Sequence, residues 1–292
     1  MDGVGSLPAS GGGFAPASAF RAAGVDRSAV ERALSTGEIV RVRRGWYAMA
    51  GAPEAELAAV RAGGVLTCVS LLHALGLWTT ERPGLHIALG DSFVHTLRPG
   101  AVGHWRRWPG QGRRSFSQDG IGAAVLNLIT CIGEDDAVVT IDSALNLGLL
   151  AEDDLPTLRA LAPAGKREVF ARVDGRSQSG LETKTRLSMR SRNVPVRPQV
   201  LVPRVGRVDE VIGERMVLET DGYRYHSSIE QFHEDRRRDL ELARQEYLCI
   251  RLDNHQIMDD WPRTEAALFE MIRRNEHMWT AAQRRRRALE HR

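Results

Sequence analysis

The fold of the C-terminal third is decided by the sequence VDEVIGERMVLETDG at residues 208–222. Two runs of β-prone residues, 208–212 and 216–222, lie on either side of Gly213 and predict two strands joined as a hairpin. An arginine-rich helix is expected before them, at about 180–192. A mixed sheet flanked by helices is therefore expected in this part of the chain.

Three acidic side chains converge in the predicted hairpin. Asp209 lies on the first strand, and Glu219 and Asp221 share one side of the second because side chains alternate along a strand. Strand pairing brings Asp209 across from Glu219. Such a cluster is costly unless a cation, protons or water neutralise it. Carboxylate oxygens suit Mg²⁺, which would neutralise a phosphodiester and activate the attacking water.

Two further residues are candidates for the same site. Glu182, on the helix before the strands, is a candidate outer-shell ligand or water-positioning group. His226 follows the second strand and is a candidate general acid or base near neutral pH. Both types of side chain take part in phosphodiester hydrolysis, so both are assigned to the predicted site.

The next predicted helix, at about 228–246, carries a cationic face. Helical spacing places four side chains together: Phe232, Asp235, Arg238 and Asp239. Arg236, Arg237 and Arg238 make this face and its flank cationic, so an arginine here is a candidate to hold the scissile phosphate, and Arg236 and Arg237 are assigned to DNA contact. Taken alone, this helix also fits a solvated surface helix with ion pairs between Arg238 and Asp235 or Glu234. A strand at 247–252 and a long amphipathic helix are expected after it.

The first fifty residues predict a winged helix. Helices at 17–23 and about 26–36 are followed by a hairpin of two short β-prone runs, 39–43 and 46–48. In this arrangement the second helix enters the major groove and the hairpin meets phosphates or the minor groove. The arginines assigned to DNA contact are Arg27 and Arg32 on the helix and Arg41, Arg43 and Arg44 on the hairpin. A small helical bundle with a solvated hairpin fits the same pattern.

Charge divides the chain into three segments. Net charge is +2 for residues 1–50, −4 for a mostly helical middle at 51–163, and +5 for 164–292, which total +3. We expect these three segments to be domains, with a boundary at the turn-rich stretch 162–165. A near-neutral total excludes a protein that coats nucleic acid through bulk charge. Of the 40 basic residues, 38 are arginine; arginine suits phosphate and guanine, and a GC-rich coding sequence gives the same bias.

The cysteines and histidines show no metal-binding spacing. Cys68, Cys131 and Cys249 are far apart and lack a CxxC pair, so reduced core residues of a cytoplasmic protein are expected. The histidines of the middle segment are expected to be ordinary structural or surface residues: His73, His86, His95 and His104. The longest apolar stretch, at 65–78, is too short to span a bilayer, and neither an export signal nor a membrane anchor is expected.

The C-terminal segment resembles the very-short-patch-repair-type endonuclease domain of the PD-(D/E)xK superfamily. The resemblance covers about 178–260 and lies in the runs Ser179-Gly180-Leu181-Glu182, Val208-Asp209, Glu219-Thr220-Asp221-Gly222 with His226, Asp235-Arg236-Arg237-Arg238-Asp239 and Tyr247-Leu248-Cys249-Ile250-Arg251. It implies metal binding by Asp209 and Glu219. It also implies a site lined by Glu182, Asp221, His226 and Asp235, with Arg238 on the phosphate.

The active-site lysine of that superfamily is replaced here. It stands two residues after the second acid, where this chain has Asp221. Lys184, Arg238 and His226 are the candidates to take its place. Superfamily members can also be inactive binders, so the resemblance implies either a nuclease or a DNA-binding protein that has lost the chemistry.

The N-terminal segment resembles the winged-helix start of the antitoxins of type IV abortive-infection systems. The resemblance lies in Phe14-Ala15-Pro16 and in the run from Val40 to Tyr47. It implies DNA binding, at the protein's own promoter for example. The sequence is compatible both with a homo-oligomer and with a complex with a partner toxin.

The sequence thus supports a Mg²⁺-dependent DNA endonuclease targeted by a winged helix. The alternatives are a non-catalytic transcriptional regulator or antitoxin-like protein with a degenerate nuclease fold, and a nuclease acting on RNA or single strands.

Overall fold

The computed structural model describes residues 12–80, 84–90, 97–105, 107–221 and 229–290. The chain divides into two compact units between Ala171 and Arg172. A boundary is expected at 162–165, but a 3₁₀ helix, Ala164–Ala171, still belongs to the first unit. Each unit has its own sheets and helices.

The first unit begins with two helices and a three-stranded sheet. Its elements are β1 (Phe14–Pro16), α1 (Ala17–Ala22), α2 (Arg27–Thr36), β2 (Ile39–Arg43) and β3 (Trp46–Met49). Asp26 caps α2 by accepting a hydrogen bond from the Ala29 amide at 2.6 Å. Gly37 ends the helix with a φ of 77°, in the left-handed region that favours glycine. The strand order is β1-β3-β2, and the predicted helices and hairpin are confirmed.

The middle of the first unit is mostly helical. Its elements are α3 (Glu54–Arg61), β4 (Val65–Leu66), α4 (Cys68–Ala74), β5 (His86–Ala88), β6 (Val102–His104), α5 (Ile121–Cys131), α6 (Glu134–Asn146), a 3₁₀ helix (Glu152–Asp154) and α7 (Leu155–Leu161). Strand β5 pairs antiparallel with β4 and parallel with β6. Helix α5 is apolar on nearly all sides, and eight consecutive residues, 122–129, are buried.

The second unit is a four-stranded mixed sheet with helices. Its elements are α8 (Gly180–Ser191), β7 (Val196–Val202), β8 (Gly206–Ile212), β9 (Met216–Asp221), α9 (Ile229–Arg244), β10 (Leu248–Asp253), α10 (Asn254–Met258), α11 (Trp261–Arg273) and α12 (Ala281–Glu290). The strand order is β10-β9-β8-β7. Strands β7, β8 and β9 run antiparallel, and α9 provides the crossover that makes β10 parallel to β9.

The register of β8 and β9 determines which side chains share a face. The paired Val211 and Val217 pack with Leu242 of α9 in one apolar cluster. Since side chains alternate, the neighbouring pair Glu210 and Leu218 lies on the opposite face, where Glu210 contacts Thr185 of α8. The sheet therefore has α9 on one face and α8 on the other.

One predicted element is wrong. The long C-terminal helix expected from the apolar spacing is two helices, α11 and α12. Asn275 adopts a φ of 59° directly after α11, and its amide donates to the Ile272 carbonyl at 2.9 Å. A left-handed residue with this bond ends a helix, so the apolar positions Met278 and Trp279 lie in the connection between the helices.

The mixed α/β fold class is confirmed: helices and several small sheets alternate, and a mixed sheet flanked by helices forms the C-terminal unit. Every helix among the described residues is too short or too polar to cross a lipid bilayer.

Candidate nucleic-acid interface and carboxylate site

The winged helix is held together by two apolar clusters. Phe20, Val30 and Ile39 belong to one, which joins α1, α2 and β2. The other includes Phe14 and Val42 of the sheet. With its apolar residues turned inward, α2 leaves a polar face in solvent, and this face consists of Arg27, Ser28, Glu31, Arg32 and Ser35. A polar, solvent-exposed face of this kind is what a recognition helix presents to the major groove.

The two α2 arginines are exposed and held along the helix surface. Arg27 forms an ion pair with Glu31 at 2.8 Å, and Arg32 donates to the Ser28 hydroxyl at 3.3 Å. Exposed ion pairs of this spacing contribute little to stability. Both guanidinium groups can therefore exchange these partners for phosphate or base edges at small cost.

The hairpin arginines lie next to aromatic rings. The Arg41 guanidinium lies 5.8 Å from the centre of the Tyr47 ring, and that of Arg43 lies 4.9 Å from the Trp46 ring. Arg43 is half-buried, its Nε has no hydrogen-bond partner, and burial lowers the pKa of its guanidinium. Arg44 is exposed in the turn between β2 and β3. Cation–π contacts of this kind orient arginine heads before a ligand binds.

Glu182 is the most buried of the predicted site carboxylates, with 3% exposure. Its side chain accepts hydrogen bonds from the Gln178 amide (2.9 Å), the Ser179 hydroxyl (3.0 Å) and the Gln199 Nε2 (2.9 Å). Burial raises the pKa of Glu182, and the negative charge of neighbouring Asp209 raises it further. The structure thus brings Glu182 and Asp209 into electrostatic contact, as the sequence predicts.

Gln199 is a site residue that the sequence did not reveal. It lies in β7 with a φ of 54°, a conformation that is unusual for a residue in a strand. The amide that it directs toward Glu182 depends on this local backbone distortion. Strained backbone of this kind is concentrated at functional sites, and no sequence pattern indicates it here.

Asp209 lies where β8 and β9 stop pairing. The last bonded pair is Glu210 with Leu218, and Asp209 and Glu219 are the next opposed residues. The Asp209 Oδ2 accepts bonds from the Thr220 amide at 2.8 Å and the Thr220 hydroxyl at 3.2 Å. The Asp209 carboxylate thus satisfies an amide of the neighbouring strand, and this ties the end of β8 to Thr220 of β9.

Glu219 forms an ion pair with α9. It is 9% exposed, and its Oε1 accepts a bond from the Arg238 Nη2 at 2.9 Å. The same nitrogen lies 2.7 Å from the Arg207 carbonyl oxygen, while the buried Arg238 Nε has no hydrogen-bond partner. A buried guanidinium N–H without a partner, beside the Glu219 carboxylate, can donate to a phosphate oxygen; the phosphate role expected of Arg238 stays a prediction.

The other charged residues of α9 form local ion pairs. Arg237 pairs with Glu234 at 2.6 Å, and Asp239 pairs with Arg236 at 3.1 Å and Arg251 at 2.8 Å. The ion pair expected between Glu234 and Arg238 is therefore replaced by one with Arg237. Asp235 is half-buried on the same helix.

Two predicted site residues cannot be placed. His226 lies outside the described residues, and so does the side chain of Asp221, the last residue of β9. Among the described carboxylates of the second unit, no three bring their oxygens within 4.8 Å of one another. The two predicted metal ligands, Asp209 and Glu219, both lie in the described part of the sheet.

A fully buried carboxyl group, Glu210, lies directly beside this site. Burial raises the pKa of Glu210 well above its ordinary value, and the charge on Glu182 adds to the effect. Thr185 Oγ1 lies within bonding distance of both the Glu182 carbonyl and the Glu210 Oε2. A hydroxyl carries one proton, so a protonated Glu210 donates to Thr185, which donates to the carbonyl. Strand alternation would have indicated this inward position.

Four cysteine and histidine residues of the first unit, which show no metal-binding spacing in the sequence, come together in the fold. They are distant in sequence, yet the fold brings them into one cluster: Cys68, His86, His104 and Cys131. All three cysteines are free, and Cys131 is exposed rather than in the core. Spacing along the chain could not indicate this cluster because each residue comes from a different helix or strand.

Residues 9–50 match the model of a family described as the AbiEi antitoxin, a transcriptional regulator. The match covers α1, α2 and the β2–β3 hairpin, which is the part that the sequence likened to type IV antitoxins. No curated protein matches the chain.

Replacing Glu210 by glutamine tests the protonated state of this buried carboxyl group. The folded chain holds this proton more tightly than the unfolded chain, so stability falls as pH rises from 4.5 toward the raised folded-state pKa. Glu210→Gln cannot ionise and should gain stability over the wild type as pH rises from 5 to 8. Each kcal/mol gained raises the melting temperature by roughly 2–4 °C. The exposed Asp259→Asn is the control, and a difference that does not change with pH would contradict the assignment.

Proposed function

We propose that the protein is a DNA-binding transcriptional regulator of the antitoxin type, which contacts duplex DNA through its N-terminal winged helix. The observation that carries this proposal is the set of exposed arginines on α2 and the hairpin, within the segment that the regulator family model matches. Arginines on both elements could contact phosphates on the two sides of one groove.

The division of roles follows from the geometry. Arg27 and Arg32 extend from the exposed face of α2, which would enter the major groove. Arg41 and Arg43, oriented by Tyr47 and Trp46, would meet the backbone or the minor groove. Because the net charge of the whole chain is only +3, affinity must come from these local contacts and should depend strongly on salt.

Arg44→Ala should weaken binding to a duplex taken from upstream of the protein's own gene. Fluorescence anisotropy over a salt series should show the slope of log K against log salt reduced by about 0.9 for each phosphate that the variant no longer neutralises. Arg159→Ala, an exposed arginine of α7, is the matched control. A wild-type affinity that is independent of salt, or equal weakening in both variants, would contradict the proposed interface.

A second function is supported by the carboxylate site, and we propose that the C-terminal unit is a Mg²⁺-dependent endonuclease. Asp209 and Glu219 would hold the ion, which would neutralise the phosphate and activate the attacking water. Arg238 would bind a phosphate oxygen through its orphaned Nε. Glu182, whose pKa is raised by burial, would position water beside Asp209.

The enzyme proposal makes a direct prediction for DNA cleavage. Full-length protein with Mg²⁺ should nick supercoiled plasmid, and Asp209→Asn should reduce nicking by at least about a hundredfold. Asparagine retains an oxygen that can accept the Thr220 bonds, so the strands should stay in place. Glu219→Gln should behave alike, and Asp153→Asn, an exposed residue of the first unit, should not.

The substrate panel should include plasmid, single-stranded DNA and RNA. Nicking that persists in the Asp209→Asn and Glu219→Gln variants would exclude the site. DNA binding in EDTA without cleavage of any substrate would contradict the enzyme proposal and support only the regulator function. Cleavage confined to RNA or single strands would redirect the enzyme proposal to those substrates.

A further inference from the structure

Four potential metal ligands meet in the middle of the first unit, outside both sites described above. Cys68 is the first residue of α4, His86 the first of β5, His104 the last of β6 and Cys131 the last of α5. Each offers one ligand atom, and these four atoms all lie within 4.8 Å of one another. Among the described residues, this is the only group of three or more such side chains.

The distances within this cluster match those of a tetrahedral zinc site. Zn–N and Zn–S bonds of about 2.0 and 2.3 Å imply edges of about 3.3 Å between two nitrogens and about 3.6 Å between nitrogen and sulfur. The His86 Nδ1 and His104 Nε2 are 3.1 Å apart. The Cys131 Sγ lies 3.6 Å from the His86 Nδ1.

We propose that Cys68, His86, His104 and Cys131 bind one Zn²⁺ ion. Two thiolates and two imidazoles are a donor set typical of structural zinc sites. The protein supplies all four ligands, which leaves no coordination position for a substrate. The site is therefore structural, and it would join α4 and α5 to the parallel strands β5 and β6.

A buried polar network fixes the backbone at the first ligand. Thr67, the residue before Cys68, donates its hydroxyl proton to Asp119 at 2.8 Å and accepts a bond from Asn127 at 3.0 Å. Asn127 in turn accepts a bond from the Trp108 ring nitrogen at 2.9 Å. Cys68 itself is fully buried and has a φ of 53°. The strained backbone and its supporting network hold the sulfur at a defined position.

The second ligand is fixed in a similar way. The His86 amide donates to the Ser70 hydroxyl at 3.0 Å, and the His86 carbonyl accepts a bond from the Thr67 amide at 3.1 Å. The His86 and His104 rings are stacked, with centres 5.4 Å apart. Outer contacts that orient the ligands are characteristic of built metal sites.

The cluster has two other chemical interpretations, and both give different results from zinc binding. Hydrogen bonds alone would link the thiols and imidazoles without metal. Oxidation would link Cys68 to Cys131 as a disulfide. Neither state would hold an ion after purification or give a metal spectrum.

Metal analysis of the full-length protein is the direct test. Protein purified without added chelator should contain about one zinc ion per chain, measured by inductively coupled plasma mass spectrometry. Cys131→Ser and His104→Gln should each reduce zinc to near zero. Cys249→Ser and His73→Gln, which alter a cysteine and a histidine outside the cluster, should retain it.

The cobalt spectrum of the wild-type protein provides a readout that does not depend on the stability of any variant. Co²⁺ added to the apoprotein should give the intense visible bands of tetrahedral coordination with thiolate charge transfer, and Cys131→Ser should weaken them. The wild-type melting temperature should fall when zinc is removed and recover when it is restored. Wild-type protein that contains no zinc and gives no cobalt bands, or variants that bind metal as the wild type does, would overturn the proposal.

Discussion

The carboxylates of the second unit are organised around the bond between the Asp209 carboxylate and the Thr220 amide. Strands β8 and β9 pair through Glu210 and Leu218, and beyond this point the Asp209 side chain satisfies the Thr220 amide on the neighbouring strand. The bond holds the Asp209 carboxylate at the end of the β8–β9 pairing, and its charge also acts on Glu182 and Glu210. A sheet built in this way concentrates negative charge that protons, arginines or a cation must balance.

The acidic side chains of this sheet are stabilised in different ways. Glu210 is buried and keeps its proton, whereas Glu219 faces α9 and is paired with Arg238. Glu182 is balanced by three hydrogen bonds instead of a full charge. Asp209 accepts its bonds from Thr220, a neutral residue.

Arginine serves structural purposes as well as the proposed contacts. Arg186 is fully buried and donates to the Arg172 carbonyl at 2.9 Å. Arg192 and Arg287 lie over Phe269 and Trp279 at 4.2 Å from the ring centres. The excess of arginine is therefore not by itself a sign of nucleic-acid binding. What distinguishes the α2 and hairpin arginines is that four of them, Arg27, Arg32, Arg41 and Arg44, are exposed on one small folded segment.

The sequence was sufficient for those features that depend on local pattern. Asp26 and Gly37 mark the ends of α2, and the β-prone runs on either side of Gly213 correctly predicted that β8 pairs antiparallel with β9. It was insufficient where contacts join distant parts of the chain. The distorted backbone at Gln199 and the meeting of Cys68 with His104 arise from tertiary packing, to which no spacing rule applies. The prediction of a single long C-terminal helix was wrong because the apolar repeat continues past Asn275, whereas the left-handed backbone of this residue ends the helix.

The proposed endonuclease requires Asp209 and Glu219 to form a cation site at the end of the C-terminal sheet. Calorimetric titration of zinc-saturated full-length protein with Mn²⁺, which shares the oxygen preference of Mg²⁺, measures it without reference to cleavage. We expect saturable binding by the wild type and by Cys249→Ser, and its loss in Asp209→Asn. Equal Mn²⁺ binding by the wild type and Asp209→Asn, or no binding by either, would show that Asp209 and Glu219 do not form a cation site.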